Sequence, residues 1–141
     1  MIKTAAITNE NGIDALLTAI QFGELGLVPA VIQDAVSKQV LTLCYLSIEA
    51  LRKSLQEGKV YVFRRSQNKL MLKGEISGHV QAIRQVLLDC EGKSLVILVR
   101  QHVAGCHTGF FTCYFRGLSK SGKLKVLGRR VFDPKKVYKT G

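Results

Sequence analysis

Residues 80–101 read VQAIRQVLLDCEGKSLVILVRQ. Two runs rich in aliphatic and β-branched side chains, VQAIRQVLLD and SLVILVRQ, are joined by the tight polar turn CEGK. Runs of this length, broken only by glycine and charge, are expected to be strands, and so short a turn pairs them as a hairpin. The same pattern extends outward in both directions. Toward the N-terminus, LVPAVIQD (27–34) and QVLTLCYL (39–46) flank the polar turn AVSK, and VYVFRR (60–65) is a further strand. Toward the C-terminus, FFTCYFRGL (110–118) and KLKVLGRR (123–130) flank SKSG and predict another hairpin.

Helical spacing interrupts the strands twice. Ile13, Leu16, Leu17 and Ile20 recur on one face, with Asn11 available as a cap. In SIEALRKSLQEG, Ser47 is the expected N-cap, Glu49 lies in the electropositive first turn, and Gly58 ends the helix. Ile48, Leu51 and Leu55 share its apolar face. No internal repeat, low-complexity segment or linker divides the chain. The expectation is a single α+β domain over 1–141: a hairpin-rich mixed β-sheet with two or three short helices.

Composition narrows the setting. The chain has 141 residues, 47% hydrophobic and 22% charged, which suits one globular core. No stretch approaches the roughly 18 consecutive apolar residues of a membrane span, and MIKTAAITNENGID lacks the apolar core of a secretory signal. A soluble, cytoplasmic protein with no membrane partner is expected. Lysines and arginines number 21 against 10 acidic residues, a formal charge of +11, which favours an anionic partner. Cations concentrate near the C-terminus at Lys120, Lys123, Lys125, Arg129, Arg130, Lys135, Lys136 and Lys139. They fit a solvated basic tail as well as an anion-binding face.

In a reducing compartment, four cysteines point to core residues, metal ligands or nucleophiles rather than disulfides. Cys44, embedded in LTLCYL, reads as core packing. Cys90, Cys106 and Cys113 lie at or beside strand ends. Three thiols suffice for a catalytic zinc with an open fourth position, but no CxxC pair is present and small buried hydrophobes remain the other reading. His107, next to Cys106, fits a fourth ligand, a general base or a hydrogen-bonded turn residue. GCHTG and SGHVQ set histidines among small residues that let a ligand approach the backbone. RRSQNK and LKGEISG add cations and hydroxyls suited to phosphate.

Taken in order, GLVPAVIQD, KGEISGHVQ, LLDCEG and GCHTGFFTCYFR resemble the phosphoribosyl-AMP cyclohydrolase family from about Gly23 to Arg116. The first 20 residues add little to the match, and the last 25, including VFDPKKVY, resemble a more variable tail. The resemblance implies an intertwined homodimer whose zinc is assembled across the subunit interface, Cys90 from one subunit with Cys106 and Cys113 from the other. It implies hydrolysis of the N1–C6 bond of the adenine ring of phosphoribosyl-AMP in histidine biosynthesis. The product would be the phosphoribosylformimino aminoimidazole carboxamide nucleotide. Two phosphates on the substrate suit a basic protein, alkylation at N1 makes C6 electron-poor, and zinc can supply hydroxide near neutral pH. His107 would be the general acid/base, since histidine changes protonation near pH 7. Arg65, Ser66, Lys73, Ser77 and Gln81 match substrate-pocket positions.

Three positions depart from the family pattern. Its magnesium motif, D-C-D-x-D, is here Asp89-Cys90-Glu91-Gly92-Lys93. Asp89 and Glu91 can still offer oxygen to Mg2+, but an ammonium at the third position repels the cation and donates no oxygen. Lys93 is expected either to replace part of the magnesium charge by pairing with Asp89 or Glu91, or to face solvent. Met71 stands where tryptophan is usual, and Phe111 where arginine is common, which removes a fixed-charge phosphate donor. These departures keep open a paralogue that hydrolyses another purine-like nucleotide. A non-catalytic zinc-held dimer binding nucleotide or nucleic acid is the alternative from a different class.

Overall fold

The computed structural model describes residues 3–138, so Lys139 of the basic C-terminal group lies outside it. In chain order the elements are α1 (Glu10–Ala19), β1 (Leu27–Asp34), β2 (Val40–Ser47), α2 (Ile48–Glu57), β3 (Tyr61–Arg64), a 3-10 turn (Arg65–Gln67), β4 (Lys69–Leu72), β5 (Gln81–Leu88), β6 (Leu95–Gln101), β7 (Arg116–Leu118), β8 (Leu124–Val126) and α3 (Pro134–Val137). The fold is α+β, as the sequence pattern predicts.

Four strands make the main sheet in the order β2-β1-β6-β5. The hairpins β1–β2 and β5–β6 are antiparallel, and they join through a parallel pairing of β1 with β6 that sets Ala30 opposite Leu95 and Asp34 opposite Val99. Side chains alternate across this sheet. Val28, Ala30 and Ile32 of β1 and Leu95, Ile97 and Val99 of β6 are buried on one face. Ile13 of α1 and Ala50, Leu51 and Leu55 of α2 close over them in a single core. Each fully buried large aliphatic contributes about 1.5–3 kcal/mol, which makes this layer the main source of stability.

Local chemistry fixes the helix ends. Ser47 Oγ accepts from Ala50 N at 3.1 Å, and Gly58 ends α2 at φ +73 with a backbone so close to the Ala5 carbonyl that no Cβ fits. At α1 the cap is Asn9 rather than Asn11: Asn9 Oδ1 accepts from Gly12 N at 2.9 Å, so the helix starts before its first apolar contact. Arg52 ties α2 to Glu10 and Asp14 of α1 at 3.2 and 3.0 Å. No described helix is long and apolar enough to cross a membrane.

Two segments differ from their sequence reading. Lys69–Leu72, where the sequence pattern predicts no strand, forms β4 against β3, with Tyr61 opposite Leu72. Residues 110–115, expected as a strand, are instead a folded loop. Their backbone is taken up by Gly105 N to Phe111 O (3.0 Å), Cys106 N to Phe110 O (3.2 Å) and Cys113 N to Leu41 O (2.8 Å). Phe110 and Phe115 stack at 4.0 Å, which closes the loop on itself. Only the end of the expected hairpin, β7–β8, is strand. The sheet edge at β2, the β3–β4 ribbon and this loop converge on one cavity.

Candidate functional site

The cavity holds about 320 Å³. Thr42 and Cys44 of β2 form one side, and Arg64, Met71 and Lys73 enter from the β3–β4 ribbon. The turn after β4 adds Glu75, Ser77 and His79, the 102–113 loop adds Cys106, His107 and Cys113, and Tyr138 reaches in from beyond α3. The loop is anchored beside its second thiol, Cys113. Thr112 Oγ1 donates to the Val40 carbonyl at 2.7 Å, and Gln101 Nε2 donates to the Phe111 carbonyl at 2.7 Å. Gly105 packs so tightly on the Gln101 side chain that any Cβ would collide with it.

Cys106 and Cys113 are neighbours within hydrogen-bonding reach, and Cys106 Sγ also lies 2.8 Å from Thr108 Oγ1. Burial pushes the Cys113 thiol up; a hydrogen bond from Thr42 opposes the rise, the Cys106 sulfur adds to it and Lys73 opposes it. Burial pushes Cys44 to about 12, with Lys73 again opposing. Cys44 Sγ faces the Ala30 carbonyl at 3.7 Å and packs against the core. Burial thus keeps Cys44 and Cys113 protonated at neutral pH, and a bound soft cation is what turns a thiol that contacts it into a thiolate. The donor set therefore fits zinc in kind, through Cys106 and Cys113. It is incomplete in one chain: among the described residues no group of three Cys, His, Asp or Glu side chains comes together to hold a metal. Cys90 lies elsewhere, exposed on the β5–β6 turn.

Of the residues matched to a substrate pocket, Lys73 and Ser77 line the cavity. Lys73 Nζ donates to the Gly105 carbonyl at 3.2 Å, and Ser77 Oγ accepts from His79 N at 3.1 Å. Arg65 and Ser66 do not line it. The Arg65 guanidinium lies over the Tyr45 ring at 4.7 Å, and Ser66 is exposed on the 3-10 turn. Gln81 is fully buried behind the loop, donating to Gln101 Oε1 at 2.7 Å, and its own Oε1 has no partner. His107 lines the cavity at its exposed rim. Met71 lines it too, whereas Phe111 packs toward the hydrophobic core.

The Asp89–Lys93 turn is engaged within itself. Asp89 Oδ1 accepts from Glu91 N and Lys93 N at 3.0 and 2.9 Å, and Oδ2 accepts from Ser94 Oγ at 2.6 Å. The Ser94 bond, followed by the Lys93 amide, holds the Asp89 carboxyl below its ordinary range. Lys93 pairs with Glu91 at 3.3 Å while both side chains stay mostly exposed. With Asp89 occupied by donors and Glu91 by an ammonium, this turn does not fit a hard, oxygen-seeking dication.

Arg64, Glu75, His79 and Tyr138 were not singled out from the sequence. His79 carried a weak signal as the histidine of SGHVQ. Burial, and then the charge of nearby His102, hold its ring below its usual value and thus neutral at pH 7. Arg64 was hidden beside Arg65, since only the twist of the ribbon decides which of two adjacent arginines faces inward. Tyr138 had no local signal at all.

A family model described as phosphoribosyl-AMP cyclohydrolase matches residues 42–115, a span that includes most of the cavity's lining. The chain is 41% identical to the phosphoribosyl-AMP cyclohydrolase of Pelotomaculum thermopropionicum over 86% of its own length and 95% of that protein's. It is 42% identical to the enzyme of the same name from Methanospirillum hungatei, covering 87% of this chain and 91% of the relative. Against the histidine biosynthesis bifunctional protein HisIE of Thermoanaerobacter pseudethanolicus it is 44% identical over 87% of its length, but spans only 56% of that longer protein.

Proposed function

The chain belongs to the phosphoribosyl-AMP cyclohydrolase family of histidine biosynthesis, and we propose that it hydrolyses the N1–C6 bond of the adenine ring of phosphoribosyl-AMP with the help of zinc. The observation that carries this reading is the contact of Cys106 with Cys113 in one cavity beside His107 and Lys73. Cys106 and Cys113 of one subunit would hold the metal together with Cys90 of a second copy. A zinc ion held there would supply a nucleophile near neutral pH by lowering the pKa of water. The exposed face of the main sheet suits such a second copy, since Leu43 and Leu87 are 46% and 45% exposed there and no described element covers them.

The remaining chemistry belongs to the chain's own side chains. Arg64 and Lys73 supply fixed positive charge at the cavity for the substrate's phosphates. Ring opening adds one water: its oxygen bonds to C6, the C6–N1 bond breaks, C6 keeps its amino nitrogen and becomes a carboxamide, and N1 gains a proton. His107, at the cavity rim, takes the proton from the attacking water and returns it to N1. The free thiols suit a reducing compartment such as the cytoplasm.

The test incubates purified, zinc-loaded protein with phosphoribosyl-AMP, with and without magnesium, and follows ring opening spectroscopically beside Cys106→Ser. Turnover that needs zinc and is lost in the variant is expected. A metal-replete dimer that opens no phosphoribosyl-AMP but opens another purine nucleotide would overturn the substrate and favour a divergent paralogue. One that opens neither would favour binding alone.

A further inference from the structure

Among the described residues that line the cavity one has a carbocyclic aromatic side chain, Tyr138, and it comes from outside the family-matched segment, which ends at residue 115. Its position is fixed by the segment that precedes it. Arg130 Nε donates to the Thr108 carbonyl at 2.8 Å, and Val131 N donates to the Gly109 carbonyl at 2.6 Å. These two bonds strap the C-terminal segment to the same loop that carries Cys106 and His107. Phe132 then meets His79 edge-on, with centroids 4.7 Å apart, and lies 6.2 Å from the Tyr138 ring. Gly109, at φ +100, leaves no room for a Cβ beneath the Phe132 carbonyl, so the strap lies directly on the loop. Asp133 caps the single turn of α3, and Tyr138 N closes it on the Pro134 carbonyl at 2.8 Å.

This architecture delivers a half-buried phenol ring to a cavity whose other walls carry thiols, imidazoles, a carboxylate and cations beside the aliphatic side chains of Leu43, Val62, Leu72 and Ile76 and the thioether of Met71, none of which offers a π face. Phosphate and ribose have no use for an aromatic face, whereas a purine does. An adenine alkylated at N1 is electron-poor, and the electron-rich face of tyrosine attracts such rings most strongly. Resting on the cyclohydrolase reading for the identity of the base, we propose that Tyr138 is the base-stacking, specificity-determining residue of this site. The C-terminal strap thus serves as the wall of the cavity that recognises the purine.

Titration of the purified full chain with AMP, 1-methyl-AMP and ribose 5-phosphate tests this. Tyr138→Ala should weaken both nucleotides by roughly ten- to a hundredfold, leave ribose 5-phosphate unchanged, and spare the thermal midpoint. Tyr138→Phe should keep wild-type affinity, and Tyr138→Leu, which restores bulk without a π face, should behave like alanine. An equal loss for all three ligands, no loss for any, leucine matching phenylalanine, or a wild-type chain that binds neither nucleotide would overturn the assignment. Failure of the reaction itself is read separately. If phosphoribosyl-AMP is not opened but nucleotide binding still depends on an aromatic residue at 138, the cyclohydrolase reading falls and the stacking role stands.

Discussion

Gln81 Nε2 donates to Gln101 Oε1 at 2.7 Å, and Gln101 Nε2 passes the bond on to the Phe111 carbonyl at 2.7 Å. Both side chains are buried, and the relay links β5 and β6 to the loop that holds Cys106 and Cys113 together. Buried amide chains of this kind rigidify only while every link is made.

Gln101→Met should therefore destabilise the protein by about 1–3 kcal/mol, because it strands the buried Gln81 amide without solvent and leaves the Phe111 carbonyl only its bond from Gly105 N. Urea unfolding would show a lower midpoint at an unchanged slope. A variant as stable as wild type would mean that the relay carries no net energy.

Zinc held by one subunit's Cys106 and Cys113 and its partner's Cys90 predicts a pattern across four serine variants. Cys90→Ser, Cys106→Ser and Cys113→Ser should each lose bound zinc and activity, while Cys44→Ser, at a core-packed thiol, should keep its zinc. Mixing inactive Cys90→Ser with inactive Cys106→Ser and letting subunits exchange should restore about a quarter of wild-type activity, since half the dimers are mixed and each has one intact site. Metal analysis and assay of the mixture check both, and no recovery after exchange would rule out a shared site.

Lys93 and Glu91 form an exposed pair, which contributes little energy. Lys93→Asp should shift stability by less than about 0.5 kcal/mol, yet it should introduce magnesium dependence by replacing an ammonium with a third carboxylate. Activity assayed across magnesium concentrations decides it. If the wild-type chain requires magnesium and the variant behaves identically, Lys93 does not stand in for the cation.

Burial pushes Tyr61 up to about 12, aided by its 2.7 Å bond to Glu57 Oε1. The unfolded chain's tyrosine ionises near 10, so the folded state holds its proton more tightly. The stability this provides is fully present below pH 10 and falls as pH rises toward 12. Tyr61→Phe should lose about 0.5–1.5 kcal/mol at neutral pH and show a flatter decline between pH 10 and 12. Parallel alkaline slopes for the two proteins would count against the assignment.

Much of the framework was legible because it is local. LVPAVIQD coincides with β1, and Ser47 and Gly58 bound α2 as their capping chemistry requires. VQAIRQVLLDCEGKSLVILVRQ is the β5–β6 hairpin. Local reasoning failed where a long-range partner competed for the same backbone. Residues 110–115 have the composition of a strand, but their bonds go to Gly105, Cys106 and Leu41.

The cavity shows the same division. The identities of Lys73, Ser77, Cys106, His107 and Cys113 marked them from the sequence, because thiols, imidazoles and cations carry their chemistry in the residue type. Where each side chain lies was decided by the tertiary structure: Gln81 went into the interior, Arg65 onto Tyr45, Arg64 into the cavity and Tyr138 to its wall. The sequence by itself determined most of the elements, the caps of α2 and the kinds of donor available, since those follow from propensity and chemistry within a few residues. Only the folded chain decided the parallel joining of β1 to β6 and the meeting of Cys106 with Cys113. Those contacts depend on packing between segments that have no local preference for each other.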